Sequence, residues 1–180
     1  MSNVHNISVG NGKGITTYFK SNIFTPVDDY VTAKMQISKF SSIDLDVISV
    51  YRSDRGNPNE MIGKLLSMIE EGKTTIITGD FNICYRDSQN HRFIRGMHEL
   101  RLNQLVQEAT HIQGRLIDHV YWIDPLNEWQ PPEMERYSPY YSDHDSLLVT
   151  LKPKVIYSLL CKPDVTCFIA GLRNKVWKAA

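Results

Sequence analysis

Thr74-Thr75-Ile76-Ile77-Thr78-Gly79-Asp80-Phe81-Asn82 is a short β-branched run that closes on a glycine, a carboxylate and a carboxamide. A run of this kind, with no polar alternation, reads as a central strand buried on both faces. Side chains at i and i+2 of an extended chain point the same way, so Asp80 and Asn82 can share one site while Phe81 turns to the core. A carboxylate and a carboxamide at a strand's end can hold and orient a water. The same residues also suit an ordinary turn after a strand, where Gly-Asp and Asn are common.

Upstream, Asn57-Pro58-Asn59-Glu60 predicts a helix start, with Asn57 as cap, Pro58 in the first helical position and Glu60 three residues after the cap. Met61, Leu65, Leu66 and Ile69 follow at helical spacing, and Gly72 is the expected stop. Further upstream, Val31, Ala33, Met35 and Ile37 alternate with polar residues over 30–40, the period of a half-buried strand. Residues 44–51 form a second strand, with Leu45, Val47, Ser49 and Tyr51 on one face, and a hairpin is expected between the two. A glycine-rich turn before residues 15–19 feeds a β-rich segment, but it lacks the spacing and the Lys-Ser/Thr ending of a phosphate loop. Downstream, Phe93, Ile94, Met97 and Leu100 mark a second amphipathic helix, and 116–122 and 146–151 read as two more strands. Strands separated by helices imply a layered α/β sandwich.

The chain has 180 residues and about two-fifths apolar content, which favours one domain. Twenty Lys plus Arg balance twenty Asp plus Glu, so no global basic field advertises a nucleic-acid partner. Cys84, Cys161 and Cys167 are odd in number and lack metal-type spacing, which fits a reduced, intracellular chain in nucleus or cytoplasm. The first residues carry no secretory pattern. Cys161-Lys162-Pro163-Asp164 interrupts the most apolar stretch, so no membrane span is expected. From Lys152 to the end, six basic residues face one acidic residue, Asp164. This 152–180 segment reads as a solvated basic tail after a domain covering 12–151.

Two further clusters carry chemistry. Leu116-Ile117-Asp118-His119-Val120-Tyr121 puts an ionisable pair inside an apolar run, where either residue needs a partner or an exposed face. Tyr141-Ser142-Asp143-His144-Asp145 directly precedes the apolar Leu147-Leu148-Val149. Asp143 suits Mg²⁺, which takes one or two carboxylates and keeps waters for a substrate phosphate, and His144 could donate to that phosphate. An acidic turn with an incidental histidine fits the same residues. His5, His91, His98 and His111 show no independent metal spacing and are expected in core or surface roles.

Strand-end Gly-Asp-Phe-Asn, a later Ile-Asp-His and a Ser-Asp-His before the last strand occur in the order and rough spacing of the endonuclease/exonuclease/phosphatase family, which this chain resembles over about residues 12–151. Tyr51, ending Val47-Ile48-Ser49-Val50-Tyr51, matches the tyrosine that members carry at a strand tip, and the resemblance is nearest to endonuclease-like domains of mobile elements. It implies a four-layer α/β sandwich of the DNase I-like kind and Mg²⁺- or Mn²⁺-dependent hydrolysis of phosphodiesters, with DNA as the partner. It also implies roles. Asp80 would activate the attacking water, and Asn82 would position water, metal or phosphate. Tyr51 and His144 would contact the scissile phosphate, Asp118 would fix the His144 ring, and Asp143 would face the metal.

Family members also begin with an Asn strand and a Glu strand that supplies a metal ligand. Here eleven residues precede Gly12 and none is acidic. The expectation is an N-terminally truncated domain with an exposed sheet edge open to association and with little metal-dependent activity of its own. A lipid or small-molecule phosphatase of the same fold, or an inactive remnant or binding domain, are the alternatives.

Overall fold

The structure, a computed structural model, describes residues 2–8, 14–42, 44–86, 92–154 and 165–170. An antiparallel ribbon of β1 (Ser2–Ser8) and β2 (Gly14–Lys20) comes first, in register from Ser2 opposite Lys20 to Ser8 opposite Gly14. It is mostly exposed, but Phe19 and His5 close on Phe40 with ring centroids 5.1 and 5.4 Å away.

The alternating stretch 30–40 is not one strand. It contains the end of β3 (Thr25–Val31), a turn, and most of β4 (Met35–Ser41). Thr32 makes the turn: its N–H donates to the Met35 carbonyl at 2.8 Å, and its hydroxyl oxygen accepts from the N–H groups of Lys34 and Met35 at 3.3 and 3.0 Å. Local hydrogen bonding by a threonine side chain thus overrides the period-two pattern. Nor is β4 half-buried. Met35 and Ile37 pack under the helices, while Phe40, on the opposite face, meets the ribbon. On the outer edge, Pro26, a register shift between Pro26 and Asp28, and the adjacent Asp28 and Asp29 interrupt the ladder that an added strand would need.

β5 (Leu45–Arg52) completes the expected hairpin with β4. α1 (Pro58–Met68) starts as its cap predicts, the Asn57 side-chain oxygen accepting from the Asn59 N–H at 3.0 Å. Glu60 receives the Tyr30 hydroxyl. The helix stops before Gly72: Ile69 is already extended at ψ 124°, its N–H still bonded to the Leu65 carbonyl, and Gly72 serves the following turn at φ +78°. β6 (Thr74–Asp80) runs parallel to β5, the pairing that a helical crossover permits. Then come α2 (Arg92–Glu99), β7 (Asn103–Gln104), β8 (Asp118–Ile123), β9 (Glu133–Tyr137), β10 (Ser146–Leu151) and β11 (Val165–Ala170).

Six strands form a mixed sheet in the order β3-β4-β5-β6-β8-β7, and three form a second sheet, β11-β10-β9. Alternate residues of the larger sheet serve two cores. Ile48, Val50, Ile77 and Tyr121 pack with Met61, Leu65, Phe93, Ile94 and Met97 of the helices. Leu45, Ile76, Val120 and Trp122 pack with Leu147, Val149 and Leu151 of the smaller sheet. Each such side chain contributes about 1.5–3 kcal/mol of burial, so the two faces together drive the layering. Among the described residues the layers run helices, large sheet, small sheet, and both helices share one face. The segment read as a tail includes β11, which pairs antiparallel with β10 from Ser146 opposite Ala170 to Leu151 opposite Val165.

Under the C-terminal end of α1 lies a buried charge cluster. Asp46 has no exposed side-chain surface and holds Lys39 and Lys73 at 2.8 and 2.7 Å, with Ser41 donating to it at 2.7 Å. The Lys39 ammonium also donates to the Met68 carbonyl and to Glu70. Burial pushes the Asp46 carboxyl up, but its lysine and serine partners outweigh burial and hold its pKa below the ordinary value. The stability it contributes is therefore present above the ordinary carboxylate range and is lost as pH falls through the depressed value. Asp46→Ala leaves buried Lys39 with Glu70 as its remaining carboxylate and half-buried Lys73 with none among the described residues, and is expected to cost roughly 1–3 kcal/mol in urea unfolding; no measurable loss would contradict this role.

Candidate active site

Register assembles the site. Tyr51 of β5 pairs with Asp80 of β6, and Asp80 pairs with Asp118 of β8, so the three residues stand in one row across three neighbouring strands. By strand alternation they share the face of Leu45, Ile76 and Val120, which the small sheet covers. His144, just ahead of β10, comes from that small sheet. Its Nδ1 donates to the Asp118 carboxylate, 2.9 Å from Oδ2 and 3.1 Å from Oδ1. The hydrogen bond joins residues 26 apart in sequence and fixes the ring tautomer. Donor atoms of Asp80, Asp118 and His144 lie within 4.8 Å of one another, as do those of His111, Asp143 and His144.

Two backbone features bring Asp80 and Asn82 together. Gly79 lies at φ +142°, and a Cβ there would sit 1.8 Å from the Val50 carbonyl oxygen, so β6 can approach β5 this closely only with glycine. Asn82 is left-handed at φ +49°, a conformation asparagine tolerates better than most residues. The expectation was continued strand alternation. Instead β6 ends at Asp80, and the turn folds Asn82 back so that its N–H and Nδ2 donate to the two Asp80 oxygens at 2.9 and 3.0 Å. Phe81 is buried in the helix-side core, as its place in the sequence predicts.

Arg52, given no role by the sequence reading, holds this turn from below. It is buried, its Nε donates to the Phe81 carbonyl at 2.7 Å and its Nη2 to the Asn82 carbonyl at 3.1 Å, and Nη1 ties down Ser53 and Gly56. Burial pulls its pKa down, while the Asp80 and Asp54 charges pull it up. An arginine at the inward end of the Asp46, Ile48, Val50 series was the signal available for it.

His111 is the second missed residue. It lies beside His144, ring centroids 4.9 Å apart, on the turn bridged to the β10 approach. The Gln113 N–H donates to its Nδ1 at 3.2 Å, which puts the ring proton on Nε2, 3.4 Å from Asp143 Oδ2. Two His–Asp pairs therefore stand side by side, His111–Asp143 across the two loops and His144–Asp118 between a loop and β8. Thr110 staples them: its hydroxyl accepts from the Asp118 N–H at 3.1 Å and its carbonyl from the Asp145 N–H at 2.7 Å. His119, by contrast, is structural. Its ring stacks on Phe81 at 4.8 Å, and its nitrogens meet the Tyr121 hydroxyl and the Ile83 carbonyl. Asn3 and Asn6 lie on exposed positions of β1, Asn6 accepting from Thr16 at 3.4 Å. His91 and Asn11 lie outside the described residues.

The electrostatics of the histidines diverge. Burial pushes His144 down, but the Asp118 hydrogen bond and the charges of Asp118, Asp80 and Asp143 more than reverse this, and its pKa is raised. Its Nε2 is buried without a hydrogen-bond partner among the described residues, a state that costs free energy unless a ligand satisfies it. Burial drives His119 down to about 4, against its two carbonyl contacts.

No protein-family model matches the chain, and no curated protein does. Among solved structures it is similar to an endonuclease/exonuclease/phosphatase family protein from Bacteroides thetaiotaomicron, at 12% identity and a TM-score of 0.51, over 80% of this chain and 72% of that one. It is likewise similar to a member from Leptotrichia buccalis, at 12% identity and a TM-score of 0.52, over 86% of this chain and 72% of the other. At such identities the likeness carries the fold. The chain has the endonuclease/exonuclease/phosphatase, or DNase I-like, fold.

The two histidines should separate in an NMR pH titration of the metal-free protein. His144 should titrate above the ordinary histidine range, and Asp118→Asn should move it down. His119 should stay neutral to about pH 4. The linkage signs are opposite: His119 erodes stability as pH falls below the ordinary 6.5 toward its folded value, whereas the stability from His144 is complete below 6.5 and is lost as pH rises through its raised value. A His144 that titrates below His119 would contradict the geometry.

Proposed function

We propose that this chain hydrolyses phosphodiesters, with nucleic acid as substrate. The observation that carries the reading is the row Tyr51–Asp80–Asp118, capped by a buried His144 whose Nε2 lacks a partner among the described residues. A divalent cation fits the donors here: Asp143 is a partly exposed carboxylate oxygen donor within reach of His144, and hard oxygen ligands of this kind suit Mg²⁺ or Mn²⁺. Asp143 would hold the ion, which when bound would neutralise charge developing on the phosphate.

The side chains divide the remaining work. Asp80, oriented by both Asn82 donors, accepts a proton from water as the water oxygen attacks phosphorus. As the P–O bond to the leaving group breaks, its oxygen takes a proton from solvent. His144 presents Nε2–H to a non-bridging phosphate oxygen, and its raised pKa favours the doubly protonated ring that this requires. Asp118 holds that ring in place, and Tyr51, next in the row, bounds the phosphate on the other side. The fold alone is shared by enzymes for different phosphoesters, so nucleic acid as substrate, DNA first, rests on the motif resemblance.

With Mg²⁺ or Mn²⁺ added, the chain should slowly nick plasmid DNA and hydrolyse bis(p-nitrophenyl) phosphate, and EDTA should stop both reactions. Asp80→Ala and His144→Ala should each lower kcat by about a hundredfold or more. Turnover indifferent to EDTA and to Asp80→Ala, or hydrolysis of phosphoinositides but no nucleic acid, would overturn the assignment.

A further inference from the structure

Large exposed apolar side chains gather on the two loops that carry His111 and His144. Tyr140 is 99% exposed, Ile112 77% and Tyr141 44%. The loops are joined: the Ile112 N–H donates to the Asp143 carbonyl at 3.0 Å, and the Asp145 N–H to that of Thr110 at 2.7 Å. Tyr140 and Tyr141 meet edge to face at 5.3 Å. Arg115, exposed at the end of the His111 turn, makes no ion pair among the described residues. Large apolar side chains left exposed together mark a surface that contacts something other than water.

We infer that Tyr140 and Tyr141 form a stacking platform for an unpaired nucleobase next to the phosphate held at His144, with Arg115 contacting a flanking phosphate. This rests on the phosphodiesterase reading for the position of the scissile phosphate. Tyr140 is four residues from His144, at most about 14 Å of extended chain, so the platform lies within a nucleotide or two of that site. Tyrosine offers a planar face to any base, while the bases of an intact duplex are stacked on each other and cannot use it. The arrangement selects a single strand, or a nucleotide turned out of a helix, over a lipid or a small phosphoester. A lipid surface would require the apolar groups to insert; two tyrosine hydroxyls, and an arginine on the loop hydrogen-bonded to theirs, suit a polyanion with aromatic bases better.

The test compares the full chain with Tyr140→Ala and Tyr140→Phe on a short single-stranded oligonucleotide carrying 2-aminopurine, on its blunt duplex, and on bis(p-nitrophenyl) phosphate. Tyr140→Ala should weaken single-strand binding by about 5- to 100-fold, read as raised KM and lost 2-aminopurine quenching, and Tyr140→Phe should restore it. Hydrolysis of the small diester should not change. Equal losses on the strand and the small diester, no loss on either, or equal binding of strand and duplex would overturn the platform. Absence of hydrolysis on every diester would remove the phosphodiesterase reading, yet quenching of the bound strand by wild type and not by Tyr140→Ala would still uphold the platform. Failure of wild type to bind the strand, or Tyr140-dependent binding to anionic vesicles in its place, would refute it.

Discussion

The hydrogen bond from His144 to Asp118 is the contact on which the site depends. It crosses from the small sheet to the large one, and both groups are buried, so neither can exchange its partner for water without exposing the seam between the sheets. Everything else in the site is positioned against that seam. Asp80 faces it because β6 pairs in register with β8, and β6 lies close to β5 because residue 79 has no side chain. Arg52 then fixes the turn beyond Asp80 from the opposite, helix-packed side. A shift of one residue in either strand pairing would turn Asp80 or Asp118 into the other core, which gives the register a functional as well as a packing constraint.

The charge balance follows from the same geometry. Asp80, Asp118 and Asp143 converge from three elements, and among the described residues the His144 ring and the Arg52 guanidinium are cationic groups near them. A phosphate entering this site meets more negative than positive charge unless His144 is protonated and a cation is supplied. Under the proposed function, a protonated His144, favoured by its raised pKa, and a cation held at Asp143 would answer that need. His119, two residues from Tyr121 and stacked against Phe81, shows what burial does without a carboxylate: its charge is suppressed and it serves packing.

Much of this was legible in the sequence where local pattern and tertiary demand agree. The β-branched run 74–78 lies in a buried strand because its composition suits nothing exposed, and Asn57-Pro58 starts a helix because capping is a local hydrogen bond. Asp118 inside an apolar run needed a partner or an exposed face; it is buried, and His144 is the partner that the family resemblance implied. Legibility failed where a side chain overrode the pattern, as Thr32 does in splitting 30–40 into two strands, and where pairing is non-local, as in β9 and β11. Asp80 and Asn82 were brought together by a left-handed turn where alternation had been expected. Arg52 and His111 were missed because they contact other site residues rather than carry a motif of their own, and nothing in their immediate sequence names those partners.

Under the proposed function, Asp80 and the Asp118–His144 pair act as one unit on a phosphodiester. A double-mutant cycle tests it most directly: kcat/KM for bis(p-nitrophenyl) phosphate at saturating Mn²⁺ in wild type, Asp80→Ala, His144→Ala and the double variant, with folding checked by urea unfolding. Groups that act together lose little more in combination than either does alone, so the double variant should fall about as far as the worse single one. Two losses that multiply, as for distant and independent positions, would show that Asp80 and His144 do not serve one reacting centre.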